Sequence, residues 1–211
     1  MPVSIELWLA FVAASAILLV IPGPTILTVI GYSLTHGRRA NVPLVAAVAL
    51  GDSTALVLSL LGLGALLATS AFWFTVVKWV GGLYLLALGI KAFRTGVAVN
   101  EAATPVAATG SRLRLFASTY AVTALNPKGM IFFVAFLPQF ISAGSDVTRQ
   151  LWILATTFVV MATINASLYA LFAASAAKLL SSPRAQRRFR FAGGSLLSAA
   201  GVWALLARRA A

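Results

Sequence analysis

Long apolar runs alternate along the chain with short polar intervals. The runs are too long for strands, and too uniformly apolar for the one-sided stripe of a helix on a soluble surface. Six stand out, roughly Ile5–Leu34, Val42–Ala68, Phe72–Phe93, Leu115–Phe140, Leu151–Ala177 and Phe191–Ala207. A helix needs about 20 apolar residues to cross the hydrocarbon core of a bilayer, so each run predicts one transmembrane helix. The intervals are short except for Arg94–Arg114, a Thr/Ala/Gly-rich linker containing Pro105. The expected fold class is therefore all-α integral membrane, in a single transmembrane domain over residues 1–211. Its halves would cover about 1–95 and 113–211, with a linker at about 95–112.

Those halves resemble each other. The third run reads GGLYLLALGIKA from Gly81 to Ala92 and the sixth reads GGSLLSAAGVWA from Gly193 to Ala204. At an offset of 112 (193 minus 81) three glycine pairs coincide: Gly81/Gly193, Gly82/Gly194 and Gly89/Gly201. The first and fourth runs agree in another way, each carrying a helix breaker, Ile21-Pro22-Gly23-Pro24 in one and Asn126-Pro127-Lys128-Gly129 in the other. Proline lacks an amide proton and clashes with the preceding turn, so both helices should kink or unwind there. Three spans per half place the halves in opposite orientations. Inverted repeats with matched broken helices are the pattern of a transporter with its site at the repeat interface, near the membrane midplane.

Composition agrees with lipid as the solvent. Of 211 residues, 61% are hydrophobic and 9% are charged, where a soluble domain carries about 25% charged residues. The net charge of +12 comes from 16 Lys and Arg against four acidic residues. These basic residues punctuate the apolar runs instead of forming one patch, so anionic lipid headgroups explain them better than nucleic acid does. They gather in the first loop (His36, Arg38, Arg39), around the central linker (Lys91, Arg94, Arg112, Arg114) and in the fifth loop (Lys178, Arg184, Arg187, Arg188, Arg190). The positive-inside rule makes those loops cytoplasmic and puts both termini outside, with Arg208 and Arg209 arguing against. The N-terminal run has no basic leader and is long for a signal peptide, so it reads as a retained first helix. With no Cys and one His, disulfides, thiol chemistry and Cys/His metal cages are excluded. No cofactor, metal or catalytic residue is expected.

Charges at bilayer depth are costly enough to be functional candidates. Asp52, about ten residues and hence roughly 15 Å into the second run, is the only acid deep in any run. It can bind a substrate ammonium, carry a coupling proton, or neutralise Lys128. Lys128 stands at the break in the fourth run, where its ammonium can hold a substrate carboxylate or stabilise freed backbone carbonyls; the substrate role is favoured. Asn126 can satisfy freed backbone groups, and Pro22, Gly23, Pro24 and Pro127 expose the neighbouring backbone to a ligand. Amides at the start of a half-helix favour an anion. Asn165 lies mid-run at an offset of 113 (165 minus 52) from Asp52, a neutral counterpart in the second half. Lys78, near the outer end of the third run, reads as a snorkelling side chain sooner than a functional one. Gly62, Gly64, Gly81 and Gly82 are expected to permit close helix packing.

With these residues in view, the sequence resembles the LysE/RhtB family of amino-acid exporters, the LysE family translocators. Carrying the resemblance are Pro22-Gly23-Pro24, Gly51-Asp52, the Lys78-x-x-Gly81-Gly82-x-Tyr84-Leu85-x-x-x-Gly89 pattern and Asn126-Pro127-Lys128, in that order over essentially the whole chain. The resemblance implies a multi-pass protein of the bacterial inner membrane that exports amino acids or related metabolites, coupled to protons as an antiporter, with six helices and a homodimer as a possible assembly. Because Asp52 is the one deep acid, a zwitterionic neutral amino acid is slightly favoured over a cationic one.

Three function classes compete. In the exporter reading, Asp52 alternates between protonated and substrate-bound states. A passive channel tends to show rings of repeated polar residues, and only one deep Asp and one deep Lys are present here. An intramembrane enzyme needs paired carboxylates, a ligand cluster or a Ser–Lys pair; Asp52 and His36 are each alone, and Ser118 is ten residues from Lys128. Export of a metabolite other than an amino acid stays open beside these.

Overall fold

The computed structural model describes residues 3–69, Val76, Trp79, Val80, Leu83, Leu86, Ala87, Ile90 and Phe93, and then 111–141 and 146–206. Among the described residues every regular element is helical, with no strand. The Arg94–Arg114 linker up to residue 110, Lys78 and the glycines at 81, 82 and 89 lie outside the described residues.

Local sequence explains where the helices start and stop. Helix α1 (Ile5–Val20) opens on Ser4, whose side chain accepts from the Leu7 amide, and it stops where Pro22 approaches. Helix α2 (Pro24–His36) restarts with proline in its first turn and ends at Gly37, whose φ of 66° favours a residue without Cβ. A short 3-10 turn, Gly37–Ala40, leads into α3 (Asn41–Thr69), 29 residues or about 44 Å long. In the second half, α4 (Arg112–Ala124) opens on a Ser111 cap. After the Asn126 break comes α5 (Pro127–Ile131), which runs on as a π-turn, Phe132–Phe136, and a 3-10 turn, Leu137–Phe140, containing Pro138. Helix α6 (Val147–Leu171) is capped by Asp146. Phe172 separates it from α7 (Ala173–Ser181), and Ser182 separates that from α8 (Pro183–Leu206).

Helix α1 ends at Val20 and α2 begins at Pro24, while α4 ends at Ala124 and α5 begins at Pro127. The sequence-based limits differ at the basic fifth loop, which is helical from Pro183 onward instead of irregular. Proline suits a first turn, and long cationic side chains along a helix can reach the polar headgroup layer while the backbone stays bonded.

Helix α3 sits centrally, packed on α4 and α6. It comes close to α4 at Gly51, where an added Cβ would lie 2.7 Å from the Thr123 Cβ and 3.2 Å from the Ala124 amide nitrogen. Gly62, expected to serve that purpose, instead faces open space, because it lies on an exposed side of α3. Gly194 on α8 approaches the ring of Phe93, so the sixth run packs against the end of the third through one of the paired glycines.

An aromatic cluster fills one end. Phe132, Phe133, Phe136 and Phe140 from the π and 3-10 turns meet Phe11 of α1 and Phe158 of α6, the tightest contact being Phe133–Phe158 at 4.7 Å and 83°. Side-chain hydrogen bonds tie the helices further: Trp8 to Thr157, Tyr32 to Ser118, and Thr54 to Tyr120. The outside is apolar. Val42, Leu61, Leu113 and Trp152 are each at least 66% exposed, and α6 is long and apolar enough to cross a membrane with only 28% of its most apolar stretch buried. Such a surface suits lipid and is poorly suited to water.

Candidate functional site

The break between α1 and α2 strips the end of α1 of its acceptors' usual partners, since the last carbonyls of a helix have no amide one turn ahead. Each is answered here. The Ile21 amide donates to Ile17 O at 3.3 Å. The Lys128 ammonium donates to Leu18 O at 2.7 Å and Ile21 O at 2.8 Å. Asn165 Nδ2 donates to Leu19 O at 3.1 Å, and the Tyr169 hydroxyl donates to Val20 O at 2.8 Å. Three side chains of the second half thus cap the broken helix of the first. A buried carbonyl with no donor would be costly in lipid, and this cap lets α1 end at depth.

The second break is closed differently. Asn126 Oδ1 accepts from the Lys128 amide at 3.1 Å, and its Nδ2 donates to Thr25 Oγ1 at 3.2 Å. One amide side chain therefore caps α5 and ties its start to the start of α2. The two restarts correspond in detail: Gly23 and Asn126 are the cap residues, and Pro24 and Pro127 follow them. Gly23 has no side chain with which to cap, so the Thr25 and Ile26 amides, with no carbonyl one turn back in their own helix, stand uncapped beside the junction.

A cavity of about 50 Å³ opens there, room for a few water molecules by volume. Gly23, Asp52, Asn126, Lys128 and Asn165 all line it, so five of the expected site residues converge from three helices and the two breaks. Pro22, Pro24 and Pro127 are not in its wall; they shape the backbone that is. Leu18, Ile26, Val48, Phe158 and Ala162 supply an apolar side. Lys128 and Asp52 face one cavity, with no ion pair between them among the described residues. An ammonium has three protons, and the two carbonyls take two. The Lys128 stem runs past Gly23, whose added Cβ would sit 3.6 Å from Lys128 Cδ and 3.9 Å from Nζ.

Sequence reasoning missed Tyr169. It lies four residues after Asn165, on the same face of α6, and that spacing was the available signal. It also missed the pairing of Thr25 with Asn126. Ser118, weighed as a nucleophile, has its hydroxyl hydrogen-bonded to Tyr32 and to backbone carbonyls of α4.

Comparison with known proteins agrees with this architecture. The family described as LysE type translocator matches residues 16–208. The chain is similar to the homoserine/homoserine lactone efflux protein of Salmonella typhimurium, with 33% identity over 97% of this chain and 98% of that one. An uncharacterized membrane protein of Vibrio cholerae is 30% identical over 94% and 96% of the two chains. The leucine efflux protein of Enterobacter sp. is 31% identical over 75% and 72%. No solved structure matches the chain. The match from Ala16 through Arg208 takes in both helix breaks, Asp52 and the cavity between them, and the chain is a membrane protein of the LysE type translocator family.

Proposed function

We propose that the chain exports amino acids, with neutral ones slightly preferred, in exchange for protons across the bacterial inner membrane. The observation that carries this reading is the cavity itself: a cation and an acid that do not pair with each other line one small chamber where two broken helices meet. A zwitterion has the complementary charges. Its carboxylate would take the remaining Lys128 proton and the uncapped start of α2, whose helix dipole also favours an anion. Its ammonium would face Asp52. The apolar wall of Val48, Phe158 and Ala162 suits an uncharged side chain. The efflux proteins for homoserine and leucine among the similar chains support the same substrate class.

Asp52 is the proton carrier in this reading: with a proton it releases the substrate ammonium, and without one it binds it, so the two compete. The two halves, about 1–95 and 113–211, act as inverted repeats of three spans each, multi-pass with loops one, three and five cytoplasmic, and rock about the cavity to alternate access. A second copy of the chain is a possible partner, and no nucleic acid is.

The test is purified protein in liposomes carrying an imposed pH gradient, screened against the twenty amino acids. Gradient-dependent movement of a few neutral ones is the expected result. Downhill flux indifferent to the gradient would establish a channel instead, and folded protein that moves no amino acid would redirect the search to other metabolites.

A further inference from the structure

A second concave surface lies away from the cavity, on the outer side of α1 and α6. It is a groove of about 660 Å³ lined by Arg149, Trp152, Thr156, Thr157, Val160 and Met161 of α6, with Trp8 and Val12 of α1 opposite. The α6 residues recur at three- and four-residue intervals, so they form one stripe along the helix. From Arg149 to Met161 is twelve residues, or about 18 Å, close to the roughly 15 Å half-thickness of a bilayer's hydrocarbon core. The groove thus runs the depth of one leaflet and ends one turn before Asn165.

Its ends differ in chemistry. Arg149 is exposed at the mouth, near the start of α6, and among the described residues its guanidinium has no acidic partner; the Asp146 carboxylate is engaged by the Arg149 backbone amide instead. Trp152, 69% exposed, shares that mouth, and aromatic rings of this kind favour the headgroup level. Deeper in, Trp8 and Thr157 engage each other: the Trp8 indole donates to Thr157 Oγ1 at 3.1 Å, and Thr157 Oγ1 donates to Ile153 O at 2.7 Å. Below that bond Val160, 50% exposed, and Met161 present an apolar floor. A cation at the headgroup level above a leaflet-deep apolar channel fits a phosphate diester with an acyl chain beneath it.

We infer that this groove is a phospholipid site, in which Arg149 holds the lipid phosphate and one acyl chain lies along α6 between Trp8 and Met161. A guanidinium binds phosphate in a forked, charge-assisted geometry that an ammonium reproduces only as a point charge. The lipid occupies the flank of α6 whose far end positions Asn165 and Tyr169, yet it touches neither the cavity nor its charges.

Native mass spectrometry of the full chain, released from membranes in mild detergent, tests the inference. Wild-type protein is expected to retain one phospholipid per copy, identified by fragmentation. Arg149→Gln should weaken retention about tenfold in a lipid titration, the scale of one charge-assisted contact. Arg149→Lys should recover part of it, and Val160→Trp should displace the lipid by filling the floor while leaving the charge. Arg38→Gln, a cation outside the groove, should change nothing. Wild-type protein carrying no lipid, retention unchanged from wild type in both Arg149→Gln and Val160→Trp, or a protein–protein dimer mass in place of the adduct would each overturn the assignment.

Discussion

Replacing Lys128 with methionine tests the capping arrangement most sharply, because the new side chain is unbranched, only one atom shorter than the old, and lacks every donor. In the native chain the ammonium satisfies Leu18 O and Ile21 O at 2.7 and 2.8 Å. A hydrogen bond from a charged group contributes about 1.5–3 kcal/mol net, so losing two removes roughly 3–6 kcal/mol. Removing the cost of burying the ammonium offsets part of that, and a loss of about 2–4 kcal/mol is expected. Unfolding in mixed micelles, followed by far-ultraviolet circular dichroism, measures the stability. Isotope-edited infrared spectroscopy with a labelled Leu18 carbonyl adds a local reading, since a carbonyl that loses its donor shifts to higher frequency. Lys128→Arg should keep most of the stability, because a guanidinium can still donate to both carbonyls. If Lys128→Met unfolds within about 0.5 kcal/mol of wild type, the ordinary range for a surface change, and the Leu18 carbonyl band stays in place, the capping role is wrong.

Three further outcomes follow from the same contacts. Tyr169→Phe removes the donor to Val20 O alone, so it should cost about 1–3 kcal/mol in the same assay; stability equal to wild type would mean water or lipid replaces the hydroxyl. Gly51→Ala drives a methyl group to 2.7 Å from Thr123 Cβ and should lose about 1–3 kcal/mol by overpacking. Gly62→Ala, facing open space, should instead be neutral or gain up to about 1 kcal/mol from the stiffer unfolded chain; the reverse order would contradict the α3–α4 packing. Trp8→Phe keeps an aromatic ring and loses the bond to Thr157, with an expected cost of about 1 kcal/mol, and a cost above about 3 would show that Trp8 holds α1 on α6 in some further way.

Much of the frame is legible in the sequence because lipid imposes few solutions. The apolar runs, the two proline breaks and the isolated deep charges are each visible in short windows. Gly23, Asp52, Asn126, Lys128 and Asn165, each singled out in the sequence as polar or helix-breaking within an apolar run, line one cavity. What Lys128 holds was not legible: its two acceptors are 110 and 107 residues away, and no local pattern names a backbone carbonyl as a partner. The sequence reading favoured a substrate for that ammonium, and the structure has it gripping α1 with one proton to spare. Tyr169 was passed over because a tyrosine in an apolar run looks like packing; only its phase with Asn165 marks it. Gly51 and Gly62 show the same limit. Both are glycines in one apolar helix, and only the neighbour at Gly51 decides which is needed. The helical fifth loop was hidden by its charge, since five basic residues in a short interval read as a polar connection.

Proton exchange at Asp52 is the central claim, and the direct measurement is the pH inside liposomes. A trapped fluorescent pH indicator would be followed on adding a neutral amino acid outside vesicles that hold wild-type protein, Asp52→Asn or no protein. The account predicts that substrate movement in one direction drives proton movement in the other for wild type. It predicts that Asp52→Asn, folded but lacking the carboxylate that both holds the substrate ammonium and carries the proton, moves no protons in response. A substrate-driven pH change that persists undiminished in Asp52→Asn would contradict it.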